Sequence, residues 1–560
     1  SLKGGFKLCN SDVCSRPRHG DSRAMGGCTS KTQVSEPRVT DQAQVFLPPP
    51  LDKTSSFCGS SPSRRPSISA AARAAGATAN AISSPLRLSG RQLILRNPGK
   101  VHDVYDMEET CLGQGSYGSV LTGTHRMTKS VRAIKVICKE KTRDHSKLDR
   151  EIEMMKEMDH PNVIKLFETF EDGRATYLAM EFCKGGELFG RVVEVGCLPE
   201  PDAATVAQQI LRAVFYMHSK GIVHRDLKPE NCVFATKEPL AKSVLKVVDF
   251  GLSCRFAPGE VLYEKVGAPF YVAPQVLAGR YNNLCDLWST GVMVYLLLCG
   301  YAPFNGKKEA EVLTKVRLGN FVFDDKSWGH VSEDAKDLIR GLLRMDQDLR
   351  LTAKQALGHV WIRQTAPGAS ADSCLSSGTE LVNNLRNFRS QNKLKKATLQ
   401  IIAGQLDDSQ LHGLREAFMA LDANQDGLLS LSELNAGLER AGVHKKTEDL
   451  QLILDGVDTD GSGKIDYTEF LAAALDQLQC VTPDGCWTAF NVFDRDGDGK
   501  ISVEELQHVL ERDGMQEVDG GADRARALLR DADQNGDSVI DFKEFMALMS
   551  STSTVSLVSV

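Results

Sequence analysis

Apolar and polar positions divide the chain into stretches of different period. From Ser1 to about His102 no period is sustained: Ser, Pro, Ala, Gly and Arg dominate and aromatics are few. Such a composition cannot bury enough apolar surface to offset the entropy of ordering, so residues 1–103 are predicted to be a disordered extension. From Val104 short runs alternate apolar with polar residues, the period of half-buried strands. From roughly Glu200 to Trp361 apolar residues recur every three or four positions, as on helices packed against a core. A small β-rich lobe followed by a larger helical one is predicted over 104–361. A loose stretch over 364–379 interrupts the pattern. Helical period then returns at Leu381 and runs on to residue 550, ahead of a tail at 551–560. The longest apolar run, residues 291–299, is far short of the ~20 residues that cross a bilayer, so no membrane span is predicted.

Length sharpens this partition, because 560 residues exceed what one hydrophobic core supports. The 42% apolar and 25% charged fractions are those of ordinary globular protein. Fifteen cysteines are an odd number without the density of a disulfide scaffold or paired metal-ligand spacing, which points to reduced thiols in a cytoplasmic protein. The net charge of −6 hides a basic first hundred residues and an acidic C-terminal region. That is regional specialisation, with little reason to expect nucleic-acid binding; a monomer is expected.

The candidate chemistry begins at Leu112-Gly113-Gln114-Gly115-Ser116-Tyr117-Gly118-Ser119-Val120, whose glycines let a hairpin backbone approach nucleotide phosphates without Cβ obstruction. Alone the pattern is weak, since glycine-rich turns are common. Arg132-Ala133-Ile134-Lys135 reads as the next strand, with Lys135 placed to neutralise the α- and β-phosphates and Ala133 beside it. Glu151, on the helical stretch 148–158, is the candidate partner of Lys135. His224-Arg225-Asp226-Leu227-Lys228-Pro229-Glu230-Asn231 and Asp249-Phe250-Gly251 complete an ordered set. In it Asp226 should accept the substrate hydroxyl proton, Lys228 should stabilise the transferring phosphoryl, and Asn231 with Asp249 should hold Mg²⁺. Asp286, in a buried helical stretch, would brace this loop.

These five motifs resemble the eukaryotic protein-kinase family over roughly Tyr105 to Trp361, and that resemblance implies ATP as phosphoryl donor. Lys228-Pro229-Glu230-Asn231 resembles the serine/threonine rather than the tyrosine members. Glu187 and Glu230 resemble acidic positions that read arginines upstream of a target, so protein substrates with Arg-x-x-Ser/Thr are expected. Arg64-Arg65-Pro66-Ser67 offers such a sequence within the chain, with an unused serine as the plainer reading. Met180, ahead of Glu181, Phe182 and Cys183 in the expected hinge, resembles a bulky gatekeeper behind adenine. No threonine lies between Asp249 and Gln275, where many kinases are ordered by phosphorylation; Glu260 or Glu264 could give Arg225 a built-in carboxylate instead. Two departures from the family stand out. Gly267-Ala268-Pro269 lacks the usual threonine hydroxyl, and Ala273-Pro274-Gln275 has glutamine where a glutamate would pair with Arg350. A buried arginine without its carboxylate can cost a few kcal/mol. With Lys135, Asp226, Asn231 and Asp249 intact, an active enzyme is expected; a calcium-sensing scaffold with an inactive kinase fold is the alternative.

Four twelve-residue loops then follow the calcium pattern, with ligands at positions 1, 3, 5, 7, 9 and 12. The first offers Asp422, Asn424, Asp426, the Leu428 carbonyl, Ser430 and Glu433, and the second Asp458, Asp460, Ser462, the Lys464 carbonyl, Asp466 and Glu469. The third offers Asp494, Asp496, Asp498, the Lys500 carbonyl, Ser502 and Glu505, and the fourth Asp533, Asn535, Asp537, the Val539 carbonyl, Asp541 and Glu544. Position 6 is Gly427, Gly463 and Gly499 in three of them and Ser538 in the fourth, where weaker binding is expected. Leu or Ile at position 8 should pair the loops through short strands. An acidic turn is usually only solvated, but four matches in series are specific.

Between the two units, over 362–407, Leu381, Leu385, Phe388, Leu394, Ala397, Ile401 and Ile402 recur at helical spacing among Arg386, Arg389, Lys393, Lys395 and Lys396. A helix packed on the kinase is the plain reading. A calmodulin-target-like junction helix, captured by the downstream loops, is the sharper one. Kinase, basic junction and four hands in this order resemble the calcium-dependent protein kinases of plants and protists, from roughly Tyr105 to Ser550. The implied fold is an α+β bilobal protein kinase followed by an all-α calmodulin-like module of four EF-hands over 408–550. The implied function is calcium-activated phosphoryl transfer to Ser/Thr, the sensor either inhibiting or bracing the kinase. Hands that serve only as constitutive buffers are a third reading.

Near the start, Met25-Gly26-Gly27-Cys28-Thr29-Ser30 matches a myristoylation signal at Gly26 with Cys28 placed for a second acyl chain. The signal works only if Met25 is an initiator, whereas the chain begins at Ser1. Membrane association through two acyl chains is the corresponding expectation, with chance occurrence of a short pattern beside it.

Overall fold

The computed structural model describes residues 94–97, 99–114, 118–141, 145–240, 242–366, 378–406, 408–475, 482–510 and 521–550. Gly26, Cys28, Ser67 and the hairpin tip at Gly115, Ser116 and Tyr117 lie outside them.

The small lobe is a six-stranded sheet of β1 (Leu95–Asn97), β2 (Tyr105–Gln114), β3 (Gly118–His125), β4 (Val131–Cys138), β5 (Leu166–Glu171) and β6 (Ala175–Met180), in the order β1-β5-β6-β4-β3-β2. All neighbours are antiparallel except β1, which runs parallel to β5. Alternation along β4 turns Ile134 inward and fully buried, and the register sets Lys135 opposite Val120 on one side and Leu178 on the other. The helix His145–Lys156 contributes Leu148, Met154 and Met155 to the buried core.

The described residues already include a strand ahead of the expected boundary at residue 103. β1 adds to the β5 edge through main-chain hydrogen bonds, and its polar residues are tied down individually: Arg96 to Glu171, and Asn97 to Glu168 at 3.2 Å. Edge pairing needs no apolar side chains, so composition gave no sign of it.

The large lobe is built around two helices, Glu200–Ser219 and Cys285–Cys299, whose residues are almost all buried. The long apolar run is thus the central helix of this lobe. A Cβ at Gly291 would meet the Leu342 side chain at 2.8 Å, which is why glycine sits where the neighbouring helix crosses. Trp288 stacks on Phe304 with centroids 5.4 Å apart. None of the described helices is long and apolar enough to cross a membrane. None of the described cysteines is in a disulfide.

The C-terminal region is helical and forms its own apolar core. The expected single junction helix is two, Gly378–Ser390 and Lys393–Gln405. The break falls where Asn392, in an extended conformation, caps the second helix by accepting from Lys395 N at 2.8 Å. Leu381, Val382, Leu385 and Phe388 of the first helix, and Leu394, Ala397, Leu399, Ile401 and Ile402 of the second, pack with the apolar residues of the calcium hands. Position 8 pairs the loops: Leu429 with Ile465 at 2.8 and 2.9 Å, and Ile501 with Ile540 across a two-stranded ribbon.

Candidate active site and calcium loops

The cleft between the lobes collects the charged motif residues. Lys135 Nζ, on β4, lies 2.6 Å from Glu151 Oε1 and 3.0 Å from Asp249 Oδ1. Burial opposes the Lys135 charge, but the two carboxylates outweigh it and hold the ammonium well above its usual range. Lys135 in turn, against burial, draws Asp249 down to about 2. Asp249 and Arg225 both adopt left-handed backbone conformations, with φ 67° and 68°. For non-glycine residues these cost about 1 kcal/mol each, and only a well-braced loop sustains them.

The brace is Asp286. Fully buried at the start of the helix Cys285–Cys299, its carboxylate accepts from His224 N at 2.9 Å, Arg225 N at 2.8 Å and His218 Nε2 at 2.9 Å. Asp226, so positioned, takes Lys228 Nζ at 2.6 Å. Burial raises the Asp226 carboxyl while Lys228 pulls it back. Asn231 donates its amide nitrogen to Asp226 O at 2.9 Å and Oδ2 at 3.2 Å, leaving its amide oxygen as the atom to face a cation. The half-exposed carboxylate of Asp249 beside Lys135 and the amide oxygen of Asn231 are donors that suit Mg²⁺, a hard cation that prefers oxygen.

Leu112, Gly113, Gln114, Gly118 and Val120 flank the hairpin tip on β2 and β3, and Ala133 pairs across to Met180 at the end of β6. In the hinge the Glu181 carboxylate is held by Lys246 at 2.9 Å, a buried cation that sequence inspection passed over. Cys183 follows, half-buried.

Arg225 pairs with Glu264 at 3.1 Å and also donates to Leu252 O at 2.6 Å and Tyr281 Oη at 3.2 Å. The carboxylate built into this segment is therefore Glu264. Glu260 instead accepts from Ala257 N at 2.8 Å. Gln275 gives Arg350 a neutral acceptor at 2.8 Å, and main-chain oxygens of Arg344 and Leu284 take the rest of the guanidinium. Burial without a carboxylate lowers Arg350 to about 10. Glu230 is partly buried, its Oε2 fully so and lacking a partner among the described residues, and burial, with Asp226 and Glu187 nearby, raises its carboxyl.

In the calcium loops one geometry recurs. The first aspartate accepts from the position 6 amide: Gly427 to Asp422 at 2.9 Å, Gly463 to Asp458 at 2.8 Å, Gly499 to Asp494 at 2.9 Å and Ser538 to Asp533 at 3.0 Å. Ser538 adopts φ 65°, the left-handed turn its glycine counterparts take at 78°, 82° and 86°. The closing glutamates Glu433, Glu469, Glu505 and Glu544 fold back to accept from the position 9 amides of Ser430, Asp466, Ser502 and Asp541. Three carboxylates lie within 4.8 Å of one another in three loops: Asp458, Asp460 and Glu469; Asp494, Asp496 and Glu505; Asp533, Asp537 and Glu544. Converging hard oxygens of this kind fit calcium.

The first two loops also touch the kinase, through Asp159, Lys165 and Arg212, which no motif marks. Asp159 accepts from Thr468 N and Oγ1, each at 2.7 Å, and so holds the first turn of the helix Tyr467–Ala474, whose N-cap is Asp466 of the second loop. Lys165 Nζ reaches Thr468 Oγ1 at 3.0 Å, and Arg212 Nε donates to Gln425 Oε1 at 2.9 Å. Leu428 packs on the kinase core, Gly427 lies against His160 and Tyr216, and Arg132 on β4 binds Gln405 Oε1 at 2.7 Å. Burial raises Asp422 to about 7 and lowers Arg212 to about 10.

A bilobal fold with this cleft, joined to paired calcium loops, defines a protein kinase that carries its own calcium sensor. Comparison with known proteins agrees. The protein kinase domain model matches residues 107–362, and the EF-hand domain pair model matches 412–475 and 486–550. Calcium-dependent protein kinase 3 of Plasmodium berghei (strain Anka) is 40% identical over 474 residues, 83% of this chain and 84% of the relative. Calcium-dependent protein kinase 5 of Plasmodium falciparum (isolate 3D7) is 40% identical over 459 residues, 82% and 80% of the two chains. Calcium-dependent protein kinase 11 of Oryza sativa subsp. japonica is 38% identical over 457 residues, 81% and 77%. The chain belongs to the calcium-dependent protein kinases: serine/threonine kinases that use ATP and are regulated by EF-hands.

Proposed function

We propose that this kinase phosphorylates Ser/Thr in proteins bearing an upstream arginine, and that its sensor acts by bracing the catalytic domain from outside the cleft. In the reaction Lys135 orients the α- and β-phosphates, Asp226 accepts the hydroxyl proton, and Lys228 stabilises the phosphoryl in flight. Asn231 and Asp249 would hold Mg²⁺, which would supply neutralisation of charge on the phosphates. Glu264 does for Arg225 what a phosphorylated residue does elsewhere, so calcium is left as the main switch.

The upstream arginine rests on Glu230. A partly buried carboxylate with one fully buried, unpartnered oxygen is costly until a guanidinium arrives, and Glu187 stands near enough to share it. Peptide arrays should show an Arg preference that Glu230→Gln weakens; a profile indifferent to upstream Arg refutes the assignment. Phosphate incorporation should vanish in Asp226→Asn.

The bracing role rests on one observation. The contacts of the hands fall on Asp159, Lys165 and Arg212, none of which belongs to a catalytic motif, while the junction helices are buried among the hands and reach the kinase at Gln405, bound by Arg132 ahead of Lys135 on β4. A chain ending after Trp361 is expected to be nearly inactive with or without calcium. High calcium-independent activity from it would establish simple inhibition instead. Acylation at Gly26 and Cys28, which would place the enzyme on membranes, is testable by mass spectrometry of the native protein; an unmodified N-terminus upstream of Gly26 excludes it.

A further inference from the structure

Each pair of calcium loops combines a lysine at position 7 of one loop with an apolar residue at position 7 of the other: Lys464 with Leu428, and Lys500 with Val539. Position 7 offers its carbonyl to the cation, so its side chain is free to point elsewhere. Pairing at the next residue, Leu429 with Ile465 and Ile501 with Ile540, carries each lysine side chain to the sister loop. There Lys464 Nζ lies 2.8 Å from Asp426 Oδ2, and Lys500 Nζ lies 3.5 Å from Asp537 Oδ2.

Both carboxylates are position 5 ligands, and the oxygen taken is the same in each. Asp426 Oδ1 accepts from its own loop, Leu428 N at 3.0 Å, and Asp537 Oδ1 does likewise from Val539 N at 3.2 Å. Oδ2 is the oxygen left for a metal, and the lysine of the sister loop holds it. The second and third loops face Leu428 and Val539 and meet no such lysine at position 7. The first loop also differs in that Asp422, Asp426 and Glu433 do not form one of the converged carboxylate groups found among the described residues.

We propose that Lys464 and Lys500 are tethered cations that compete with calcium for Asp426 and Asp537, so that the second and third loops fill at lower calcium than the first and fourth. The proposal rests on the reading that these loops bind calcium, and it concerns the order in which they do so. Lys464 is the stronger competitor, its carboxylate being the less exposed: the Asp426 side chain is 13% exposed and that of Asp537 41%. The ammonium must leave Oδ2 before a metal can use it, which costs the interaction of a partly exposed ion pair.

The test is calcium binding to the full chain by titration calorimetry, with one loop of the first pair disabled at a time. With the second loop disabled by Glu469→Gln, Lys464→Met should tighten binding at the first loop roughly three-fold, the equivalent of a modest ion pair. With the first loop disabled by Glu433→Gln, the same substitution should leave the second loop unchanged. Lys464→Arg, which keeps the cation, should bind like the unaltered chain. An equal gain in both backgrounds would mean that the lysine acts only as diffuse positive charge, and no gain in either would mean no competition; each overturns the proposal. Complete loss of calcium binding in all backgrounds would instead defeat the reading on which it rests.

Discussion

Gln275 and Arg350 show what a buried guanidinium does when its carboxylate is replaced by an amide. One neutral hydrogen bond at 2.8 Å and three to main-chain oxygens engage the donors, but no carboxylate contacts the charge and burial, only partly offset by Asp346, lowers Arg350 to about 10. Gln275→Glu should therefore stabilise the kinase lobe by roughly 1 kcal/mol, net of the donor now given to Met345 O. Its pH dependence follows from a carboxylate whose folded pKa is depressed. The gain is complete above the unfolded value of about 4.3 and disappears as pH falls through the lower folded value. Urea unfolding at pH 7 and pH 3.5 measures both limits. Identical midpoints at pH 7 would show that the carbonyls of Arg344 and Leu284 already suffice. At the same scale Glu264 holds Arg225 from a position 59% exposed, so Glu264→Gln should cost less than about 1 kcal/mol of stability and show mainly as slower phosphorylation.

Among the elements, the junction helices are where a local pattern and its tertiary use coincide. Phe388 is fully buried against the apolar faces of the hands, and Lys396 lies over its ring with the ammonium 5.4 Å from the centroid. Burial, with Lys393 and Arg389 nearby, lowers that ammonium to about 8. Phe388→Ala should cost the sensor about 3–4 kcal/mol, read as a lower unfolding midpoint of the C-terminal region. A loss under 1 kcal/mol would mean that the helix is only loosely held. The apolar period that betrays this helix was legible because Leu381, Leu385 and Phe388 share one face. The break at Asn392 was not, since an N-cap asparagine inside a polar run looks like any other polar residue. The cleft was legible for a similar reason: its residues sit in fixed local spacings around Asp226 and Asp249. β1 was illegible because an edge strand of three residues is held by main-chain bonds and by Glu168 and Glu171, both distant in sequence.

In the whole molecule the kinase and the hands meet through partly buried polar pairs separated by hundreds of residues, which no local pattern can announce. His160 adds a packing contact beside them. It stacks on Tyr216 with centroids 4.9 Å apart, lies against Gly427 of the first calcium loop, and accepts from Asn162 N at 2.9 Å. Burial, with the cations of Arg212 and Lys246 nearby, lowers it to about 3. Because the folded pKa lies below the unfolded value of about 6.5, the unfolded chain takes up the proton first. The contribution of a neutral His160 is thus complete above pH 6.5 and is lost as pH falls toward 3, at about 1.4 kcal/mol per unit. His160→Asn keeps an acceptor for Asn162 N and removes the titration. Between pH 7 and pH 5 the variant should lose less unfolding free energy than the unaltered chain, by up to about 2 kcal/mol. Parallel pH profiles would mean that His160 is hydrated at this contact. Asp159 supplies the complementary test, since it holds the first turn of a sensor helix from the kinase side at 2.7 Å. Asp159→Ala should cost about 1–2 kcal/mol, the loss of two hydrogen bonds to a carboxylate. If the docking of the hands depends on that contact, small-angle scattering should report a larger radius of gyration for the variant at unchanged secondary structure. An unaltered radius would place the hold on Arg212 and Leu428 instead.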